Sequence, residues 1–498
     1  MTNGGHRVKS LLRGTRTHTE KGLIVVSGQP ATVLRHRRIL KLAFAIPATG
    51  LMVVVASLSG ILQSEESRLA MFCVAIIGVM GLGTWAARTE KKIDFFEPPV
   101  VIFALFVLFY PLRLIFAFLL DEPLLNTLVS ALRLAIWACL AGFLAFLAGY
   151  RSKIAIRIAQ RAERLVCRLD GEWDVWRTNL LGIAFLVICL GTLCAVYLTE
   201  GSVFYFMSLD PVAKNPYDIA PWYYYATWGM NCLLVGALFQ LVVSLRYRRQ
   251  HMYTVAYLLG AAVVAGLVSR GTLVALLLLA LGLVNYLYKK VGPTLMVWVG
   301  SAAATWLVLG GILRMRVSSM DVPVGGTLLD YLSAYVLGGL DHLYVMALLM
   351  QSVPGALPLQ YGSTFLPLLL KPIPRTLMPN KPLGAGGILN SILFPVSYDA
   401  GYATTPTMLG EWYMNFSWVG IILGMALVGI AAAILYRLLG RGRSPARVVL
   451  YMVCLLGLIA WVRGDLNVAS TGFLFYFLPT LVGLFLVRRR GPIAAPPR

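Results

Sequence analysis

Charge is scarce in this 498-residue chain: 13% of its residues are Asp, Glu, Lys or Arg, against about 25% in soluble domains. Acidic residues are scarcer still, 21 against 43 Lys and Arg. With 59% hydrophobic residues and a mean hydropathy of +0.77, that shortage of solvating charge excludes an ordinary water-soluble globule. Cysteine is sparse and badly placed for a disulfide framework. Cys73, Cys139, Cys189, Cys194, Cys232 and Cys454 lie inside apolar runs and Cys167 in a basic loop, so they read as reduced core residues. Histidine, at 5 residues, never takes zinc-ligand spacing, and no GxxxxGK[ST] phosphate loop is present, so no metal, ATP or other cofactor is expected. Internal repeats and low-complexity tracts are also missing, which argues against a transporter built from inverted halves.

What is present is a series of long apolar runs separated by short basic clusters. At about 20 residues per span, helices fall near 39–62, 69–87, 98–120, 124–149, 178–198, 222–245, 252–268, 271–288, 293–313, 416–436, 447–462 and 469–487. The sequence therefore predicts an all-α polytopic membrane protein of about twelve spans. Lys and Arg concentrate in every second connection: the tail before residue 39, Arg88 to Lys92, Arg151 to Arg177, Arg246 to Arg249, Lys289 and Lys290, Arg437 to Arg447, and Arg488 onward. That alternation places both termini in the cytoplasm. It also makes the net charge of +22 a signature of orientation, and no nucleic-acid partner is expected.

Five regions follow. Residues 1–38 are a basic cytoplasmic tail, expected to be disordered ahead of an uncleaved first helix; 39–313 hold spans one to nine. Residues 314–415 form one long external loop, 416–487 the last three spans, and 488–498 a basic tail. Segment 328–350 stays in the external loop as an amphipathic or re-entrant helix. If it spanned, it would reverse the charge pattern downstream and put Asp330, Asp341 and His342 in or beside hydrocarbon. A second external loop, 199–225, carries Tyr205, Tyr217 and Trp222 to Tyr225, which suit an interfacial belt or a platform for stacking sugars. On the basic side, Lys153 to Leu169 sets Ile154, Ile158, Leu165 and Leu169 against Arg157, Arg161, Arg164 and Arg168 in two helical stripes, as a helix lying on an anionic leaflet would.

Chemistry concentrates between Tyr361 and Gly420, where prolines, glycines and charges interrupt an otherwise hydrocarbon-like chain. The few external cations include Arg270 at a helix start, Arg314 and Arg316 at the end of span nine, Arg375 in KPIPRTLMPNKP, and Arg463 in the turn RGDLN. Arginine offers a planar fork that holds phosphate in two bonds, and several together suit a diphosphate; the alternative for each is a loop residue snorkelling to headgroups. Arg113 and Arg133 fall in the outer halves of spans three and four, where they would grip a lipid diphosphate from below or pair with Asp121 or Glu122. Glu411 and Asp399, flanking the loop's return to the membrane, are the first candidates for acid or base work, ahead of Asp341, His342 and Asp465.

SRGTLVALLLLAL, YGSTFLPLLLKPIPRTLMPNKP, GEWYMNFSWVG and RGDL, in that order and on the outer side, resemble the O-antigen or oligosaccharide repeat-unit polymerases (Wzy type) of bacteria. The resemblance covers roughly the second half of the chain. It departs from the family in the basic N-terminal tail and in Met378, where related sequences often carry Trp. It implies a GT-C-like membrane glycosyltransferase of the inner membrane. Its periplasmic loop would polymerise undecaprenyl-diphosphate-linked oligosaccharide into O-antigen or exopolysaccharide. Family arginines carry over to Arg270 and Arg375, then Arg314 and Arg463, and the loop-exit glutamate to Glu411. Membrane lipids are implied partners, and a chain-length regulator protein is left open. An O-antigen ligase shares this architecture and donor, and a flippase or exporter shares the span count.

Overall fold

The computed structural model describes residues 65–89, 93–119, 125–201, 222–248, 250–268, 270–317, 340–371, 377–378, 380–399, 404–442 and 444–489. The chain divides into Met1–Pro47, outside the described residues, and Ala48–Arg498, to which everything below refers. The expected span 39–62 and loop 202–221 lie outside the described residues, as does most of segment 328–350.

Helices form throughout, with no strand among the described residues. In order, the α-helices of five residues or more are α1 (Glu65–Ala87), α2 (Pro98–Phe109), α3 (Pro111–Leu119), α4 (Leu125–Tyr150), α5 (Lys153–Val166), α6 (Val175–Glu200), α7 (Trp222–Tyr247) and α8 (His251–Val268). They continue as α9 (Arg270–Leu287), α10 (Pro293–Val317), α11 (His342–Ser352), α12 (Ala385–Leu393), α13 (Pro395–Asp399), α14 (Thr407–Leu435), α15 (Pro445–Arg463) and α16 (Leu466–Val487). Eight stretches among the described residues are long and apolar enough to cross a membrane, and His251–Gly266, Gly271–Leu287 and Pro293–Leu309 are shorter apolar helices. The chain is an all-α polytopic membrane protein.

Local sequence sets the boundaries. Pro98 and Pro99 open α2 where their missing N–H groups are not needed. Ser152 caps α5 by accepting from Ala155 N, and Asp174 caps α6 by accepting from Trp176 N and Arg177 N. Gly201, at φ 69°, ends α6 in the left-handed region that glycine adopts without a Cβ clash. Most residues of α7 from Ala226 to Tyr247 are buried in protein whereas most of α6 from Val175 to Thr199 are not, so α7 is an inner helix and α6 an outer one.

The central pair is α4 and α14. A Cβ on Gly149 would sit 2.0 Å from Ala426 O, and one on Gly429 would sit 2.1 Å from Phe146 O. Backbone meets backbone here, the approach that small residues permit inside a membrane.

The span expected from 416 begins nine residues earlier in the structure, at Thr407, and is interrupted where the expected span starts. Phe416 (φ −139°, ψ 16°) and Ser417 (φ 56°, ψ −143°) leave helical geometry. Glu411 and Asn415 lower the hydropathy of the first part, so composition reveals only the second. Trp412 folds back across the break onto Gly424, whose Cβ would lie 2.1 Å from the indole. Segment 340–352 is a short helix, α11, mostly buried beside α4 and α14.

Candidate functional site

The break in α14 removes the intrahelical partners of the carbonyls just before it, and buried carbonyls need replacements. The loop supplies them: Gln360 N donates to Met414 O (2.9 Å) and Tyr361 N to Asn415 O (3.1 Å). Gly362, at φ 89°, turns the chain so that its N–H donates to Asn415 Oδ1 at 2.7 Å. Asn415 Nδ2 in turn donates to Thr364 Oγ1 (2.7 Å) and to Glu411 O (2.8 Å). One asparagine thus joins the loop to the helix.

Glu411 closes this network. Its side chain is fully buried. Oε1 accepts from Thr364 Oγ1 at 3.3 Å, while Oε2 accepts from Trp461 Nε1 at 2.9 Å and from Leu466 N at 2.8 Å. The carboxylate therefore ties the 360–365 loop to the end of α15 and the exposed amide at the start of α16. Trp412 packs between Phe365 (5.0 Å between centroids) and Trp461 (6.2 Å).

A second buried carboxylate performs the same kind of joining on the other side of the turn. Asp465 Oδ1 caps α16 by accepting from Val468 N at 2.7 Å, and Oδ2 accepts from Gly386 N at 2.7 Å, holding α12 against the turn. Lys371 Nζ donates to Ser470 Oγ at 2.8 Å and to Asn467 O. Burial lowers the Lys371 ammonium to about 8, with Asp465 opposing and Lys381 reinforcing the shift. The folded chain therefore holds fewer protons than the unfolded chain between about pH 8 and the usual 10.5, and stability rises with pH across that window. Lys371→Met should remove this contribution, so variant and parent should differ in their pH dependence of thermal unfolding between pH 7.5 and 10.5. Parallel curves would show that Lys371 does not titrate there.

The other carboxylates and cations are placed as follows. Asp399 is exposed at the end of α13 and shares no hydrogen bond with Glu411 among the described residues. Arg463 ends α15 with an exposed side chain, and its carbonyl accepts from Thr405 Oγ1 (3.2 Å) and lies 3.1 Å from His342 Nε2. His342 stacks on Phe109 at 4.3 Å, and burial, then the nearby Arg463 charge, lowers its imidazole to about 4. A ring that stays neutral at ordinary pH and bonds a carbonyl is a packing element. Arg113 is fully buried, 3.7 Å from Asp341 Oδ1 and 4.5 Å from the centre of the Tyr344 ring. It is committed to the start of α11, where Asp121 or Glu122 had been the expected partners; those two lie outside the described residues. Arg133 is exposed on α4. Arg270, Arg314 and Arg316 belong to the ends of α9 and α10 by backbone, their side chains outside the described set, as is Arg375 entirely.

The structure thus brings together Glu411, Asp465, Lys371 and the backbone of Arg463; Asp399 takes no part in their hydrogen bonds among the described residues. Sequence reasoning missed Thr364, Asn415 and Trp461. Asn415 and Thr364 stood inside stretches already singled out, but nothing local shows that their partners lie across a helix break. Among the described residues no group of His, Cys, Asp and Glu could hold a metal ion.

A family model described as "Putative O-antigen polymerase" matches residues 94–474, a stretch that contains every part of this network. The chain has no significant match among curated proteins or solved structures.

Proposed function

We propose that this chain, which belongs to the O-antigen polymerase family, joins polyprenyl-diphosphate-linked oligosaccharide repeat units at the Glu411 end of the bundle. We take this end to be the periplasmic face of a bacterial inner membrane. The observation that carries the reading is the Glu411 network, which joins the 360–365 segment to the Arg463 turn at one end of the spans. The alternation of basic connections supports the orientation.

In the proposed reaction an acceptor sugar hydroxyl attacks the anomeric carbon of the donor glycan. The new carbon–oxygen bond forms as the bond from that carbon to the diphosphate oxygen breaks, and polyprenyl diphosphate leaves with the electron pair. The arginines assigned to its charge are Arg270, Arg314, Arg316, Arg375 and Arg463, whose planar forks stabilise a leaving diphosphate without giving up a proton. Asp399, exposed on the loop, is assigned to accept the hydroxyl proton. Glu411, enclosed and accepting three hydrogen bonds, is assigned as a positioning residue.

Arg270→Ala and Arg375→Ala should each leave the protein inserted in the membrane while long polysaccharide disappears and a single capped repeat remains. Wild-type chain lengths in both variants would overturn the assignment. Accumulation of long lipid-linked polymer in their place would identify a ligase.

A further inference from the structure

At the opposite end of α14 from Glu411, α5 is bound to the bundle on one face and open on two. Ala155 and Ala159 are buried, and the neighbours of α5 are α14 and the turn Tyr436–Gly440 that follows it. Arg447, 5% exposed, fixes the far end by donating to Glu163 Oε1 and Asp170 Oδ1, both at 2.7 Å. The open side carries two adjoining stripes. Ile154, Ile158 and Leu165 are 57%, 43% and 65% exposed, and Arg157, Arg161, Arg164 and Arg168 are exposed beside them. Water does not suit the first stripe and hydrocarbon does not suit the second, whereas a bilayer interface suits both.

A separate observation points to an anion at the start of the same helix. Arg437 lies within electrostatic reach of Arg151, Arg441, Tyr150 and Glu97, and its Nη1 is buried without a hydrogen-bond partner among the described residues. Glu97 Oε1 accepts from Thr89 N, Thr89 Oγ1 and Tyr150 OH, and its Oε2 is buried without a hydrogen-bond partner among the described residues, so it does not bond Arg437. The first-turn amides of α5 add partial positive charge beside Arg151.

We infer that α5 and the arginines at its N-terminal end form a docking site for anionic phospholipid. The headgroup phosphate is held near Arg151, Arg437 and Arg441, and the acyl chains run along Ile154, Ile158 and Leu165. The flanking arginines Arg157, Arg161 and Arg164 face neighbouring headgroups of the same leaflet. The site is independent of the glycan chemistry at the other end of the bundle.

Native mass spectrometry of the detergent-solubilised full chain, titrated separately with phosphatidylglycerol and phosphatidylcholine, tests this. The wild type should take up phosphatidylglycerol at markedly lower concentration. Each of Arg157→Gln, Arg161→Gln and Arg437→Gln should weaken that uptake by roughly fivefold, the scale of one cation near an anionic surface. Ile154→Ser with Ile158→Ser should weaken uptake of both lipids. Equal uptake of the two lipids by the wild type, or an unchanged preference in all three arginine variants, would overturn the proposal. So would full displacement of phosphatidylglycerol by inorganic phosphate, which would mark a free-phosphate site. The single flank variants Arg157→Gln and Arg161→Gln touch only exposed side chains, so they keep the test intact if Arg437→Gln does not fold.

Discussion

Glu411→Ala should abolish polymer formation and lower the thermal stability of the purified protein, whereas Glu411→Gln should retain part of both. The reason lies in what the alanine strands. Thr364 Oγ1, Trp461 Nε1 and Leu466 N all donate to this one buried carboxylate. A buried polar group left without its partner costs about 1–3 kcal/mol, so several kcal/mol are at stake at the junction of the 360–365 loop with α15 and α16. Glutamine keeps the volume and one acceptor oxygen but turns an NH2 toward a donor, so it restores part of the network. The measurements are thermal unfolding in detergent and steady-state kinetics on purified lipid-linked repeats. A positioning role predicts that Glu411→Gln raises KM and lowers kcat together. A Glu411→Gln protein of normal stability and KM, with kcat lost entirely, would instead make Glu411 the base and remove Asp399 from that role.

Gly149→Leu and Gly429→Leu should leave almost no folded protein, and the corresponding alanine variants should be strongly destabilised. Even a methyl group at either position meets the opposing backbone at about 2 Å, so α4 and α14 would have to separate. Overpacking usually costs about 1–3 kcal/mol where side chains can yield, and here the obstruction is main chain. Fluorescence-detected size-exclusion chromatography of tagged protein would report the surviving fraction. Gly191→Ala and Gly300→Ala are the controls, because a Cβ at either meets nothing within 4 Å. Monodisperse Gly149→Leu and Gly429→Leu proteins at parental levels would show that the two helices do not pack this closely.

The helices were legible because the requirement that every backbone group be satisfied inside a bilayer writes long apolar runs into the sequence; of the about twelve spans expected, eight stretches among the described residues are long and apolar enough to cross. From 69–87 onward each expected run is helical, with 98–120 divided into α2 and α3 and 416–436 beginning at the break in α14. Glu411 was legible for a related reason: a carboxylate at the edge of such a run is conspicuous. Its partners were not. Trp461 and Leu466 are joined to it only through the fold, and nothing in their neighbours distinguishes Trp461 from an ordinary interfacial aromatic. The interruption at Phe416 and Ser417 was hidden because neither residue is proline or glycine, and the loop amides that compensate for it come from Gln360 and Tyr361. Arg113 was recognised as a buried charge that requires an explanation, but its counter-charge, Asp341, is brought to it by α11, a helix too short for hydropathy to mark as a span.

The interruption in α14 also has a genetic consequence. On its C-terminal side the helix is locked to α4 through Gly429, and on its N-terminal side it carries Glu411 and Asn415. In a saturation screen, substitutions at helix-facing positions after Ser417 should score as loss of protein. Those from Thr407 to Asn415 should include alleles that are present at normal levels but yield altered glycan profiles. Ser417 would then mark a border between two phenotypic classes within what hydropathy alone presents as one uniform segment.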